Sequence, residues 1–278
     1  MLLSCVQSHV DFADVPSNFG RAAVWLREVA ARSVDLVVMP ECMLSGYGFH
    51  SREEAMASAI VIGDPQWQSL ISICQSTGTL HAVIGFLERE DTDQGTRLYN
   101  ASALIGPAGI LATYRKVHLP HLGVDRFVDR GNRPYTVHQA GEARIGLAIC
   151  YDCSFPEPIR VLGLAGADII ALPTNWPVAA IRTAEIVPPA RSMENHLYFV
   201  AANRVGEERG FTYCGNSSIC GPDGVELGRA GGDDEQILIA EIDLAKARNK
   251  RIERTAGAHV IDRFADRQPQ FYPGLDTN

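Results

Sequence analysis

The stretch ARIGLAICYDCSFPEPIRVLGLAGADIIALP, residues 143–173, sets the reading of the whole chain. Ala143 to Ile149 is an unbroken apolar run of strand length. Ser154 to Ala165 carries apolar residues at helical spacing, and Asp168 to Leu172 is apolar again. Strand, helix and strand follow with short connections, so the two strands belong to a sheet covered by helices and buried on both faces. The start of the helix is marked by Ser154 and Glu157 at capping-box spacing, with Pro156 in the first turn.

The same alternation runs outward in both directions. Towards the N-terminus, Leu2 to Gln7 reads as a buried strand, Ser17 to Arg32 as an amphipathic helix opened by a capping serine, and Val34 to Met39 as a second strand. Pro65 to Ser76 reads as a helix. Leu80 to Glu88 and Asn100 to Ile105 read as strands, and a turn at residues 106–109 leads into Ile110 to Tyr114. After a loop at His118 to Pro134, strands are expected at Tyr135 to His138 and beyond the helix at Leu197 to Asn203, Ser217 to Cys220 and Ile237 to Ile242. A helix spans Ile181 to Asn195, and Asp243 caps a last basic one. Helices and hairpins together imply a mixed sheet. Neither a linker nor an internal repeat divides residues 1–278, so one domain is expected. The tail from about residue 254 is polar and aromatic without periodicity, and is expected either to be disordered or to pack on a partner subunit.

Composition excludes more than it names. Of 278 residues, 46% are hydrophobic and 21% charged, an ordinary globular balance. A net charge of −8 with no basic run works against binding nucleic acid. The start MLLSCVQSHVDF lacks a basic flank and a long apolar core, so no signal peptide is expected. No apolar run is long enough for a membrane helix. Seven cysteines, an odd and scattered set, look like free thiols of a reducing compartment, and cytoplasm is the expected location.

Three reactive side chains stand just past strand ends, where open sheets place their ligands. Glu41 follows Val34 to Met39, and a carboxylate there can act as a general base. Lys116 follows Ile110 to Tyr114, and an inward ammonium can stabilise a tetrahedral oxyanion. Cys150 lies in a tight turn aimed at a helix N-terminus, a layout like a nucleophile elbow, where the macrodipole favours thiolate. Taken singly, each has a bland counterpart: a loop acid facing water, a solvated basic pair with Arg115, a small buried apolar residue. Cys150 and Cys153 also form a C-x-x-C, which a thiol redox protein would use. Zinc would need two more ligands than that pair supplies, and Cys214 with Cys220 do not make a second close pair.

Taken together, MPECMLSGYG (39–48), YRKVHLP (114–120), AICYDCSFPEPIRVLGLAGADII (148–170), LPTNWP (172–177), RSMENHLYFVAANRVG (191–206) and GNSSICGPDGVEL (215–227) resemble the nitrilase superfamily of carbon–nitrogen hydrolases, in that family's order. The resemblance implies a four-layer α-β-β-α sandwich paired as a homodimer or higher homo-oligomer, and chemistry without metal or cofactor. It implies Glu41 as base, Lys116 as oxyanion-stabilising cation and Cys150 as nucleophile. Members commonly carry a second glutamate after the lysine motif. HLGVDRFVDRGN (121–132) offers none, and Asp125 is its nearest match.

The chemistry follows from the residue types. Attack by Cys150 on an amide carbon makes an oxyanion held by Lys116 and the Tyr151 N–H. The amine leaves with a proton from Glu41, and water activated by the same Glu41 cleaves the thioester. Tyr47, Asn175 and Trp176 are expected to line the substrate pocket, and Arg191 with Glu194 to form a structural ion pair. The expected substrate is a small linear amide or N-carbamoyl compound. A small nitrile is the same-fold alternative, and a thiol–disulfide protein or a non-catalytic interaction protein are the alternatives of other classes.

Overall fold

The computed structural model describes residues 1–273. Its strands are β1 (Leu2–Gln7), β2 (Leu36–Val38), β3 (His81–Thr92), β4 (Gly95–Gly106), β5 (Gly109–Arg115), β6 (Val137–Ala140), β7 (Ala143–Leu147), β8 (Ile169–Pro173), β9 (Tyr198–Ala202), β10 (Ser218–Cys220), β11 (Glu226–Arg229) and β12 (Gln236–Glu241). The long helices are α1 (Val15–Ala31), α2 (Trp67–Thr77), α3 (Pro156–Leu164) and α4 (Ile181–Asn195). Two six-stranded sheets result, ordered β12-β1-β2-β3-β4-β5 and β11-β10-β9-β8-β7-β6. They stack face to face, with α1 and α2 outside the first and α3 and α4 outside the second, as an α-β-β-α sandwich.

Alternation of side chains along the strands makes these layers. Leu3, Cys5, Leu36, Val38 and Val83 point between the sheets and meet Ile145, Leu147, Ile169 and Ala171. Val6, Val37, Ala82, Ile84 and Phe86 point the other way, onto Phe19, Ala22, Leu26 and Val29 of α1 and Trp67, Leu70 and Cys74 of α2. Both faces of the parallel strands are therefore apolar, which is why their sequence shows runs rather than alternation.

Several boundaries differ from expectation. Asp14, not Ser17, caps α1, its carboxylate accepting from the Ser17 N–H at 3.0 Å. Helix α3 begins at Pro156 rather than Ser154. Residues 150–154 form a 3₁₀ turn, and Phe155 is extended (φ −95°, ψ 129°), the conformation a following proline imposes. Strands β3 and β4 run several residues past their apolar stretches as a polar hairpin, held by cross-strand pairing rather than burial. Asp243 caps the short helix Leu244–Arg248 as expected, accepting from the Ala245 N–H at 2.9 Å.

Within the tail, Arg251–Thr255 and His259–Asp262 form a hairpin, and Phe264 lies under the cations of Arg160 and Lys250. The tail thus carries a hairpin and contacts of its own, and residues 274–278 lie outside the described residues. All seven cysteines are free and buried. Among the described residues, no helix is long and apolar enough to cross a membrane.

Candidate active site

Strands β1, β2 and β3 are mutually parallel, and β5 regains that direction after the antiparallel β4. Strands β7, β8 and β9 are parallel in the second sheet. Glu41 follows β2 and Lys116 follows β5, while Cys150 follows β7 and Thr174 and Asn175 follow β8. The first sheet supplies an acid and a base, the second a thiol and polar side chains, and they converge across the inter-sheet core.

The turn carrying Glu41 lies on the backbone of β3 at Gly85. A Cβ there would come within 2.5–2.6 Å of Pro40 O, Cys42 N and the Glu41 Cα, so only glycine lets the strand pass beneath. Gly85 N–H donates to Pro40 O at 3.2 Å, and Leu44 N–H to Gly85 O at 3.2 Å. On its far side the same loop is held by Glu208, which accepts from Tyr47 N–H at 2.9 Å and from Gly48 N–H. Glu208 is in turn paired with the fully buried Arg204 at 2.9 Å.

Lys116 Nζ lies 2.7 Å from Glu41 Oε1 and 2.6 Å from Asp125 Oδ2, with all three side chains at 0% exposure. Asn100 on β4 donates one amide hydrogen to Glu41 Oε1 at 2.7 Å and the other to Asp125 Oδ1 at 2.8 Å. Tyr47 donates its hydroxyl hydrogen to Asp125 Oδ2 at 2.8 Å. Asp125 reaches the cluster from a 3₁₀ turn whose Gly123 (φ 48°) leaves no room for a Cβ against the Tyr47 ring. An ammonium has three hydrogens, and two are used here.

Burial pushes Glu41 above the usual carboxylate range, Lys116 pulls it down, and the charge of Asp125 raises it further. Burial works against the Lys116 ammonium, but Asp125 and Glu41 outweigh it and hold its pKa well above 10.5. Glu41 Oε2 is buried and has no hydrogen-bond partner among the described residues.

Cys150 sits at φ +43°, in the left-handed region that costs a non-glycine residue about 1–2 kcal/mol. Behind it lies Asp152, fully buried. It accepts from Ile149 N–H at 2.9 Å, Tyr114 hydroxyl at 2.7 Å, Tyr135 hydroxyl at 3.1 Å and His118 N–H at 3.1 Å, with His118 Nδ1 at 2.8 Å. This one carboxylate ties the cysteine turn to the segment that carries Lys116.

The Cys150 thiol is pushed up to about 12, by burial first and the Glu41 charge second, with Lys116, the Asn175 N–H and the Thr174 hydroxyl pulling it down. The expectation of a dipole-favoured thiolate is therefore corrected. The helix starts six residues later, Cys150 is 8% exposed, and its burial favours the thiol over the thiolate.

The structure brings Glu41, Lys116, Asp125 and Cys150 together. Tyr47, 1% exposed, braces Asp125 rather than facing open solvent. Tyr151 is 38% exposed with its ring edge-on to Phe155. Asn175 and Trp176 are buried at the end of β8, with Trp176 N–H donating to Asn203 Oδ1 at 2.8 Å. Arg191 and Glu194 pair at 3.0 Å as expected. Sequence reasoning missed Asn100, Asp152, Thr174 and the Arg204–Glu208 pair. A polar residue amid the apolar run of β4 was the available signal for Asn100.

Comparison with known proteins bears on the family and the fold. The family model described as carbon-nitrogen hydrolase matches residues 2–252. A nitrilase of Pyrococcus abyssi is 35% identical over 96% of this chain and 97% of its own length. An N-carbamoylputrescine amidase of Solanum tuberosum is 28% identical over 95% and 91%. A solved variant of an amidase from Nesterenkonia sp. AN1 superposes with a TM-score of 0.77 at 22% identity, covering 99% of this chain and 97% of that one. It shows covalent addition of the acetamide moiety of fluoroacetamide at its active-site cysteine.

Proposed function

The chain belongs to the carbon–nitrogen hydrolase family, and from that premise we propose that it hydrolyses a small linear amide or N-carbamoyl compound through a thioester on Cys150. The observation that carries this reading is the division of labour at Glu41. Oε1 is held by Lys116 and Asn100, while Oε2 is buried and unbonded, and the Glu41 charge acts on the Cys150 thiol.

Glu41 Oε2 takes the thiol proton as the sulfur attacks the amide carbon. The developing oxyanion is met by the third Lys116 hydrogen and the Tyr151 N–H. The C–N bond breaks as Glu41 returns its proton to the leaving nitrogen. Water, giving its proton to the same carboxylate, adds to the thioester, and the acid departs as the thiol reforms. Asp125 keeps Lys116 charged, doing the work of the missing glutamate with one methylene less. Tyr47 braces Asp125, and Asn175 and Trp176 wall the substrate.

The N-carbamoylputrescine amidase likeness supports amide and carbamoyl substrates. The Pyrococcus abyssi likeness supports a nitrile, which would pass through a thioimidate. Burial of both Cys150 and Cys153, with both thiols pushed up, counts against dithiol exchange. We take the chain as one domain acting as a homodimer, with its tail beside the partner, in a reducing compartment such as the cytoplasm that suits seven free thiols.

The test measures ammonia release from amides, N-carbamoyl amines and nitriles side by side, with mass spectrometry of the Cys150 peptide. Turnover with an acyl or carbamoyl adduct that disappears in Cys150→Ala is expected. No turnover and no adduct across the panel would sink the reading.

A further inference from the structure

Glu41, Thr174 and Asn175 all bear on the Cys150 thiol, and four of their buried side-chain atoms have no hydrogen-bond partner among the described residues: Glu41 Oε2, Thr174 Oγ1, Asn175 Oδ1 and Asn175 Nδ2. Their residues are at most 1% exposed. Leaving a buried polar group unmatched costs about 1–3 kcal/mol, and here the unmatched groups stand in succession at one strand end. The backbone N–H groups on either side of Asn175 are engaged, and the Asn175 N–H itself bears on the Cys150 thiol. Thr174 N–H donates to Ala202 O at 2.9 Å, and Trp176 N–H donates to Asn203 Oδ1 at 2.8 Å. Asn175 is the one buried carboxamide among the described residues with neither end bonded.

The set has a definite polarity. Glu41 Oε2, Asn175 Oδ1 and Thr174 Oγ1 are three acceptors. Asn175 Nδ2 and the third hydrogen of Lys116 are donors not taken up by the side chains described above. A ureido group, –NH–CO–NH₂, presents three N–H donors around one carbonyl oxygen. A primary amide presents two, and a nitrile none.

We propose that Glu41 Oε2, Thr174 Oγ1 and the Asn175 carboxamide form a receptor for a ureido group, so that the enzyme prefers N-carbamoyl amines to amides of the same shape and rejects nitriles. This rests on the reading of Cys150 as the nucleophile and adds the headgroup to it. Hydrolysis of such a compound consumes one water and yields the amine, ammonia and carbon dioxide. A site built to bond N–H groups discriminates steeply against an analogue that lacks them, because its own buried atoms then stay unmatched.

The experiment begins with ammonia release from N-carbamoyl and amide compounds carrying neutral, anionic and cationic tails. No turnover on any would overturn both the hydrolase reading and this proposal. On the tail turned over fastest, ureido, carboxamide and nitrile headgroups are compared for Kd by calorimetry with the Cys150→Ala protein. Binding should weaken about tenfold for each N–H lost. In Cys150→Ala/Asn175→Leu the gap between ureido and amide should close to within about twofold, and the isosteric Thr174→Val should narrow it by itself. Turnover in the wild type with a flat order of affinities, or an order that survives both substitutions in folded protein, overturns the receptor while leaving the hydrolase standing. Should Asn175→Leu fail to fold by circular dichroism, Thr174→Val decides alone.

Discussion

Lys116 Nζ stands 2.6 Å from Asp125 Oδ2 with neither side chain touching solvent, so a residue from a separate loop joins Glu41 in holding the lysine charged. Asp125 also raises Glu41 by its own charge. In Asp125→Asn the repulsion is gone and Lys116 is freed to pair with Glu41 alone, and both changes lower the Glu41 pKa. Activity requires ionised Glu41, so it falls as pH drops through that pKa. The acid limb of kcat/KM in the wild type should lie above 4.5. It should move to lower pH in Asp125→Asn, with a loss in kcat of about 10²-fold. A pH–rate profile measures both, and an unmoved limb would show that Asp125 does not act through Glu41.

Gly85→Ala tests the seating of the Glu41 turn. The added methyl would lie 2.5–2.6 Å from backbone atoms of residues 40–42, which cannot yield as a side chain end can. A stability loss of about 1–3 kcal/mol in urea is expected, with kcat falling further than the unfolded fraction explains. Full activity in the folded fraction would refute the seating.

Arg204→Met leaves Glu208 buried without its partner, which costs about 3–5 kcal/mol. Adding Glu208→Leu should restore only part of this, since the N–H groups of Tyr47 and Gly48 then lose their acceptor. Thermal or urea unfolding of the single and double variants gives the comparison. Full recovery in the double would mean the two N–H groups find another acceptor.

Cys153→Ser should retain activity within a few fold, because serine is close to cysteine in size and the proposed chemistry does not use this buried thiol. Ammonia release with and without dithiothreitol measures this. Loss of turnover on substitution would return the dithiol reading to consideration.

What was legible in the sequence follows from what a single position can reveal. Glu41, Lys116 and Cys150 each interrupt the chain just after an apolar run, so their placement at strand ends could be read directly. Asn100 shows locally only as a polar residue in an apolar strand, and both it and Asp152 make the bonds that matter to groups 25 to 59 residues away, which no local pattern reveals. The thiolate expectation failed because a dipole argument needs the helix to begin at the cysteine, and Pro156 postponed it. Strands β3 and β4 were read short because their outer residues are polar and held by each other.

The placement of β1 between β2 and β12 has a consequence for synthesis. Residues 2–7 are made early, but their second hydrogen-bonding neighbour, residues 236–241, emerges more than two hundred residues later. Throughout that interval a run of bare amides and carbonyls lies open to any passing strand, a template for clumping that the finished molecule has sealed. A ribosome stalled before Gln236 would leave a product with Glu41, Lys116 and Cys150 all present and that edge of β1 uncovered.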